Sequence, residues 1–107
     1  MVIITLTENN GAFELYAKGH AGYAKKGEDI VCASVSILLF TLIESIDEND
    51  LARKPVVVQR EGNTFIRLVP KFENRGKIRG VFDVISNGFL LLQENFQKNV
   101  KFCRFGG

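Results

Sequence analysis

The sequence predicts an α+β domain of two layers, in which a mainly antiparallel sheet of about five strands, in the order β-β-α-β-β-α-β, carries two helices packed on one face. Three observations predict it. Apolar residues alternate with period two near both ends and in the middle of the chain. Two longer stretches carry apolar residues at helical spacing, one after each pair of alternating segments. Turn chemistry separates the alternating segments, which is how hairpins are built. These patterns leave the strand order open.

The first strand is read in Val2, Ile4 and Leu6, which alternate with Ile3, Thr5 and Thr7. Glu8-Asn9-Asn10-Gly11 supplies the turn, and Phe13, Leu15 and Ala17 alternate with Glu14, Tyr16 and Lys18 on the returning strand. Counting on by twos, His20 falls on the polar side and is expected to be accessible. After a glycine-containing loop, Asp29 stands where an N-cap belongs, so Ile30, Val31 and Cys32 open a helix. Val31, Val35, Leu38 and Leu42 follow helical spacing, and Ile37, Leu39, Phe40, Ile43 and Ile46 widen the apolar surface beyond one stripe. Such a helix is either the central core helix or is covered partly by another subunit. It is expected to end near Asn49, ahead of Lys54-Pro55.

Val56-Val57-Val58 predict the start of a third strand, Glu61-Gly62-Asn63 its turn, and Phe65 to Val69 the fourth strand before Pro70. A second helix is predicted from Lys77 to Lys98, with Val81, Ile85, Phe89, Leu92 and Phe96 in register and with Gly80 and Gly88 attributed to close helix packing. Val100 to Phe105 closes the sheet.

The 107 residues suffice for one core, with nearly half of them apolar and a formal charge of +2. That charge is too small and too scattered for a duplex binder, since Lys25-Lys26 and Arg53-Lys54 are isolated pairs. No charged region precedes an apolar one at Met1, and the apolar run Ile37 to Ile43 is far short of the ~20 residues that span a bilayer. A cytoplasmic chain without a secretory signal is therefore expected. There Cys32 and Cys103 are expected as free thiols, and two cysteines with one histidine do not close a four-ligand zinc site.

The chemistry concentrates in Lys18 to Ser36, where strand, loop and helix start place an imidazole and a thiol within reach. A thiolate is the attacking species, and both the positive end of a helix and a proton-accepting imidazole favour it. The amide hydrogens at the helix start are also candidates for stabilising an oxyanion. Ser36 shares the face of Cys32 one turn on, Asp29 sets where the helix begins, and Gly19 suits a close backbone approach beside His20. Each of these residues has a plain structural reading as well. Free cysteine is among the most buried residue types, a histidine at a strand end is ordinarily a surface residue, and Asp29 and Ser36 serve equally as a cap and a small helical residue.

The stretch GHAGYAKKGEDIVCASVS resembles the signature of the ribosomal-processing cysteine proteases, the Prp family, in its Gly-His, its glycine-containing loop and its Asp-Ile-Val-Cys-Ala helix start followed by serine. The likeness covers essentially the whole chain, and its specificity lies in this stretch. It implies a homodimeric cytosolic endopeptidase with Cys32 as nucleophile and His20 as its base, a dyad without a cofactor. The implied substrate is a short N-terminal extension of large-subunit ribosomal protein twenty-seven, cut after an aromatic-rich sequence. Neither membrane nor direct nucleic-acid binding is implied. The loop containing Gly22, Tyr23 and Gly27 would then order over bound peptide. A competing reading, a non-enzymatic ribosome-assembly or RNA-associated module, rests on the slight basic balance and on Lys25 and Lys26. It predicts salt-sensitive association with ribosomal particles that survives Cys32→Ala. A redox or acyl-transfer role lacks a Cys-x-x-Cys pair.

Overall fold

The first hairpin sets the frame. In the computed structural model, which describes residues 1–106, β1 (Val2–Asn9) and β2 (Ala12–Lys18) pair antiparallel about an Asn10-Gly11 turn with both residues at positive φ. That turn matches the right-handed twist of the strands it joins. Alternation does what period two requires: Val2, Ile4, Leu6, Phe13, Leu15 and Ala17 are all buried on one face.

The chain then forms α1 (Ile30–Glu48), β3 (Ala52–Arg60), β4 (Asn63–Pro70), a 3-10 turn (Phe72–Asn74), α2 (Arg75–Asn95) and β5 (Val100–Gly106). The sheet order is β3-β4-β2-β1-β5, antiparallel except where β5 runs parallel to β1. The result is a mixed five-stranded sheet with two helices, as the pattern predicted. The order itself follows from pairings far apart in sequence, such as Val2 with Val100.

Val31, Val35, Leu39, Leu42 and Ile46 of α1 and Ile78, Phe82, Ile85 and Phe89 of α2 are buried in one core with the sheet's inner residues. Phe82 stacks on Phe13 at 4.7 Å between ring centroids, joining the second helix to the first hairpin. With 19 residues and a mean hydropathy of 1.9, α1 is long and apolar enough to cross a membrane by length and composition. Here one stripe of it is committed to the core, while Ile30, Ile37 and Phe40 remain exposed.

Several boundaries differ from the sequence reading. The third strand begins at Ala52 rather than Val56, because Ala52 and Arg53 pair with Pro70 and Val69 ahead of a register shift between Arg53 and Val56, where Lys54 takes φ +37°. Pro55 and this irregularity lie on a free edge, where a missing N–H costs no ladder bond. The second helix runs Arg75–Asn95 instead of 77–98, since Phe96 leaves helical geometry and turns its ring edge-on to Tyr23 at 5.4 Å. Gly88 does admit its neighbour, as a Cβ there would lie 2.8 Å from Leu38 Cδ2, but Gly80 has nothing within 4 Å and plays no such part.

Among the described residues no helix covers the outer face of the sheet. Tyr16 and Phe65 pair across strands at 4.6 Å there, and Glu14 stands opposite Arg67. At the other edge, Gln93 Oε1 of α2 accepts the Phe102 N–H at 2.7 Å and so satisfies part of β5.

Candidate active site

Register decides where the chemistry meets. Lys18 pairs with Asn63 and lies near Ile3, and Val2 pairs with Val100. The end of β2, the β3–β4 turn, the start of β1 and the start of β5 therefore share one end of the sheet. The segment leading into α1 lies over that end, beside a cleft of about 780 Å³ whose walls include His20, Cys32, Ser36, Phe40 and Gly62.

Gly19 makes the sharp exit from β2. It takes φ +97°, its N–H donates to the Gly62 carbonyl at 2.9 Å, and a Cβ would lie 2.4 Å from the Met1 carbonyl oxygen. No side chain fits that space in that conformation. His20 follows, exposed, with its ring over Gly62: a Cβ on Gly62, itself at φ +70°, would stand 2.8 Å from His20 Nε2. No hydrogen bond joins His20 to Cys32 among the described residues.

Cys32 is half-buried and free, one turn into α1. Its Sγ accepts a hydrogen bond from the Ala21 N–H at 3.4 Å. The helix start is tied down by Asp29, whose Oδ1 accepts the Val31 and Cys32 N–H groups at 3.0 and 2.9 Å. Oδ2 accepts the Tyr23 and Ala24 N–H groups at 3.0 and 3.3 Å, so one carboxylate fastens the loop to the helix. This corrects the expectation of free amides at the helix end. The Cys32 N–H is already held, and a carboxylate at that position offsets part of the helix's positive pole. The donor that reaches the sulfur comes from the loop instead.

Burial works to raise the Asp29 carboxyl, but the N–H groups of Cys32, Ala24, Tyr23 and Val31 together hold it below its ordinary 3.8. A carboxyl lowered by folding contributes stability that is complete above its unfolded value and is lost as pH falls through the folded one. Acidification below about pH 4 is therefore expected to loosen the loop and the first turn of α1. Hydrogen exchange at the Cys32 amide between pH 6 and pH 3, in the native chain and in Asp29→Asn, checks this. Parallel pH dependences in the two proteins would show that Asp29 is not responsible.

Ser36 lines the cleft one turn beyond Cys32, and Gly22 and Gly27 lie in its exposed loop wall. Tyr23 does not line it. Its ring packs edge-on against Phe96 instead. Lys26 of the loop reaches Glu61 of the β3–β4 turn at 3.4 Å across the cleft mouth, an exposed pair of small energetic weight. Four features were not read from the sequence as part of the site: the Ala21 amide, Gly62, Phe40 and Asn99. Gly62 had a signal, but only as a turn residue. Asn99, whose Nδ2 donates to the Ala21 carbonyl at 2.8 Å, had none, because that contact spans 78 residues.

A thiol at a capped helix start, a backbone N–H on its sulfur and an imidazole in the same open cleft define an α+β protein with a thiol site. The chain belongs to the family described as Cysteine protease Prp, whose pattern matches residues 1–101. It is 49% identical over 39 residues to the ribosomal processing cysteine protease Prp of Mycoplasma pneumoniae and 48% identical over 40 residues to that of Mycoplasma genitalium. These matches cover 36% and 37% of this chain and only 39% and 36% of those relatives' lengths. An essential ribosomal processing protease Prp from S. aureus, in complex with a covalently linked product peptide, shares the fold at a TM-score of 0.84 and 23% identity, over 98% of this chain and 100% of that one. A Streptococcus mutans protein follows at 0.75 and 25% identity, over 98% and 94%.

Proposed function

We propose that this chain is a cysteine endopeptidase of the cytoplasm that removes a short N-terminal extension from large-subunit ribosomal protein twenty-seven. The observation that carries the reading is the shared cleft: Cys32, with the Ala21 N–H already on its sulfur, opens onto the same peptide-sized space as His20. Family membership and the peptide bound by the S. aureus relative support it.

In this reading His20 takes the Cys32 proton as Sγ attacks the scissile carbonyl, and the imidazolium returns that proton to the departing amine. Water then cleaves the thioester with His20 again as base. The exposed imidazole, whose ring lies over Gly62, has to come within hydrogen-bond reach of the sulfur for that transfer. The test is incubation with a synthetic peptide spanning the extension, followed by mass spectrometry. Scission at one bond is expected, and a peptide left intact overturns the reading.

The same proposal includes a homodimer. Ile37, Leu91 and Val84 are 61%, 60% and 70% exposed on the two helices, apolar side chains that a partner subunit would cover. Sedimentation is expected to give twice the 12.0 kDa chain mass, and a monomer at micromolar concentration would remove this part.

A further inference from the structure

The residues around Ala21 are held from the far end of the chain. Asn99 sits in the turn between α2 and β5 with its own backbone pinned: its N–H donates to the Phe96 carbonyl at 2.9 Å, and its carbonyl accepts the Val2 N–H at 2.9 Å. From that base Nδ2 donates to the Ala21 carbonyl at 2.8 Å. Ala21 is 1% exposed, and its N–H is the one that reaches Cys32 Sγ. That N–H belongs to the peptide unit joining His20 to Ala21, so the tether lies next to the backbone that carries the imidazole.

We propose that Asn99 is a positioning residue for the thiol chemistry: by holding Ala21 it keeps a backbone donor on the sulfur and fixes the segment from which His20 extends. The physical need is clear from the neighbours. Gly19 and Gly22 flank the pair at φ +97° and +69°, and two glycines leave a segment with more backbone freedom to lose than any other residue pair. Ala21's methyl is packed in the core, but few other hydrogen bonds hold the backbone here: Gly19 is tied to Gly62, and the Asp29 bonds begin only at Tyr23. Released, the Ala21 amide drifts from the sulfur, and a donor to a thiolate is a charge-assisted bond whose strength depends on distance and angle. Among the described residues Asn99 makes no hydrogen bond to the sulfur or the imidazole. It acts through Ala21.

The inference rests on the proposed thiol chemistry, and its test has a readout independent of proteolysis. In a Cys103→Ala background, alkylation of Cys32 by iodoacetamide is followed from about pH 5 to pH 10 for the parent, Asn99→Ala and Asn99→Asp. The aspartate keeps the shape of the side chain but cannot donate at neutral pH. In both variants the midpoint of the profile is expected to move up by about half a pH unit or more, the direction that follows from losing a donor to the charged form. With cleavable peptide, kcat/KM is expected to fall about tenfold, with KM within about twofold, the signature of lost positioning and not of lost binding. A profile that superimposes on the parent overturns the inference whether or not the melting temperature falls, since a purely structural Asn99 alters only the latter. Failure of the parent to cut peptide counts against the proteolytic reading alone, because the alkylation profile still decides the part played by Asn99.

Discussion

Cys32→Ala is expected to lower the rate of peptide cleavage by about 10⁴-fold or more, leaving only what a binding cleft without a nucleophile can supply. Alanine preserves helix propensity and removes only the sulfur, so α1 and its Asp29 cap should persist. The loss would then belong to chemistry. Cys103→Ala is the matched control, because Cys103 lies on β5 with its partner Thr5 of β1 and outside the cleft residues. Its cleavage rate should stay within about twofold of the parent, as expected for a site remote from the reacting atoms. Progress curves with both variants at equal concentration measure the contrast. Equal loss in the two, or continued cleavage by Cys32→Ala, would move the nucleophile elsewhere.

The largest effect on stability is expected at Phe82. Its side chain is fully buried and its ring lies nearly parallel to that of Phe13, at an interplanar angle of 8°, so it ties α2 to β2. Truncation to alanine removes the buried ring and leaves a cavity that the stacked partner cannot fill, a cost of ~3–5 kcal/mol. A chain of this size has a total stability of only ~5–15 kcal/mol. At ~4–8 °C per kcal/mol, Phe82→Ala should melt on the order of 12–40 °C lower. Urea titration and calorimetry check this, and a fall below about 5 °C would show that the ring stack is peripheral to the core.

The fold was legible wherever a local period reported a buried face. Val2-Ile4-Leu6 and Phe13-Leu15-Ala17 gave the central hairpin, and the Val31-Val35-Leu42 spacing gave α1, because each stripe packs against one continuous core. Legibility failed at β3. Only Ala52 of that strand is buried, and Val56, Val57 and Val58 are all partly exposed, so no alternation marked its true beginning. Leu38 was read into the core stripe, whereas Leu39 is the buried one and Leu38 is only partly covered, pressed against Gly88 of α2. That shift reflects a neighbouring helix that no local pattern announces.

At the site, the motif from Gly19 to Ser36 named the thiol and the imidazole, since both are rare in this chain and stand close in sequence. What surrounds them was invisible there. The amides at the helix start were expected as candidates for stabilising an oxyanion, and Asp29 instead spends both carboxylate oxygens on loop and helix together. The ring of Tyr23 belongs to Phe96, and the support beneath His20 is Gly62.

By itself the sequence determined the element order, the faces that seek burial and the identity of the one thiol and imidazole that share a short segment. These follow from chain-local properties: side-chain period, capping preference and residue chemistry. Only the tertiary structure decided the strand order β3-β4-β2-β1-β5 and, with it, that Gly62 and Asn99 stand beside His20 and Ala21. Those contacts join residues tens of positions apart, and their energy exists only once the whole sheet has closed around one core.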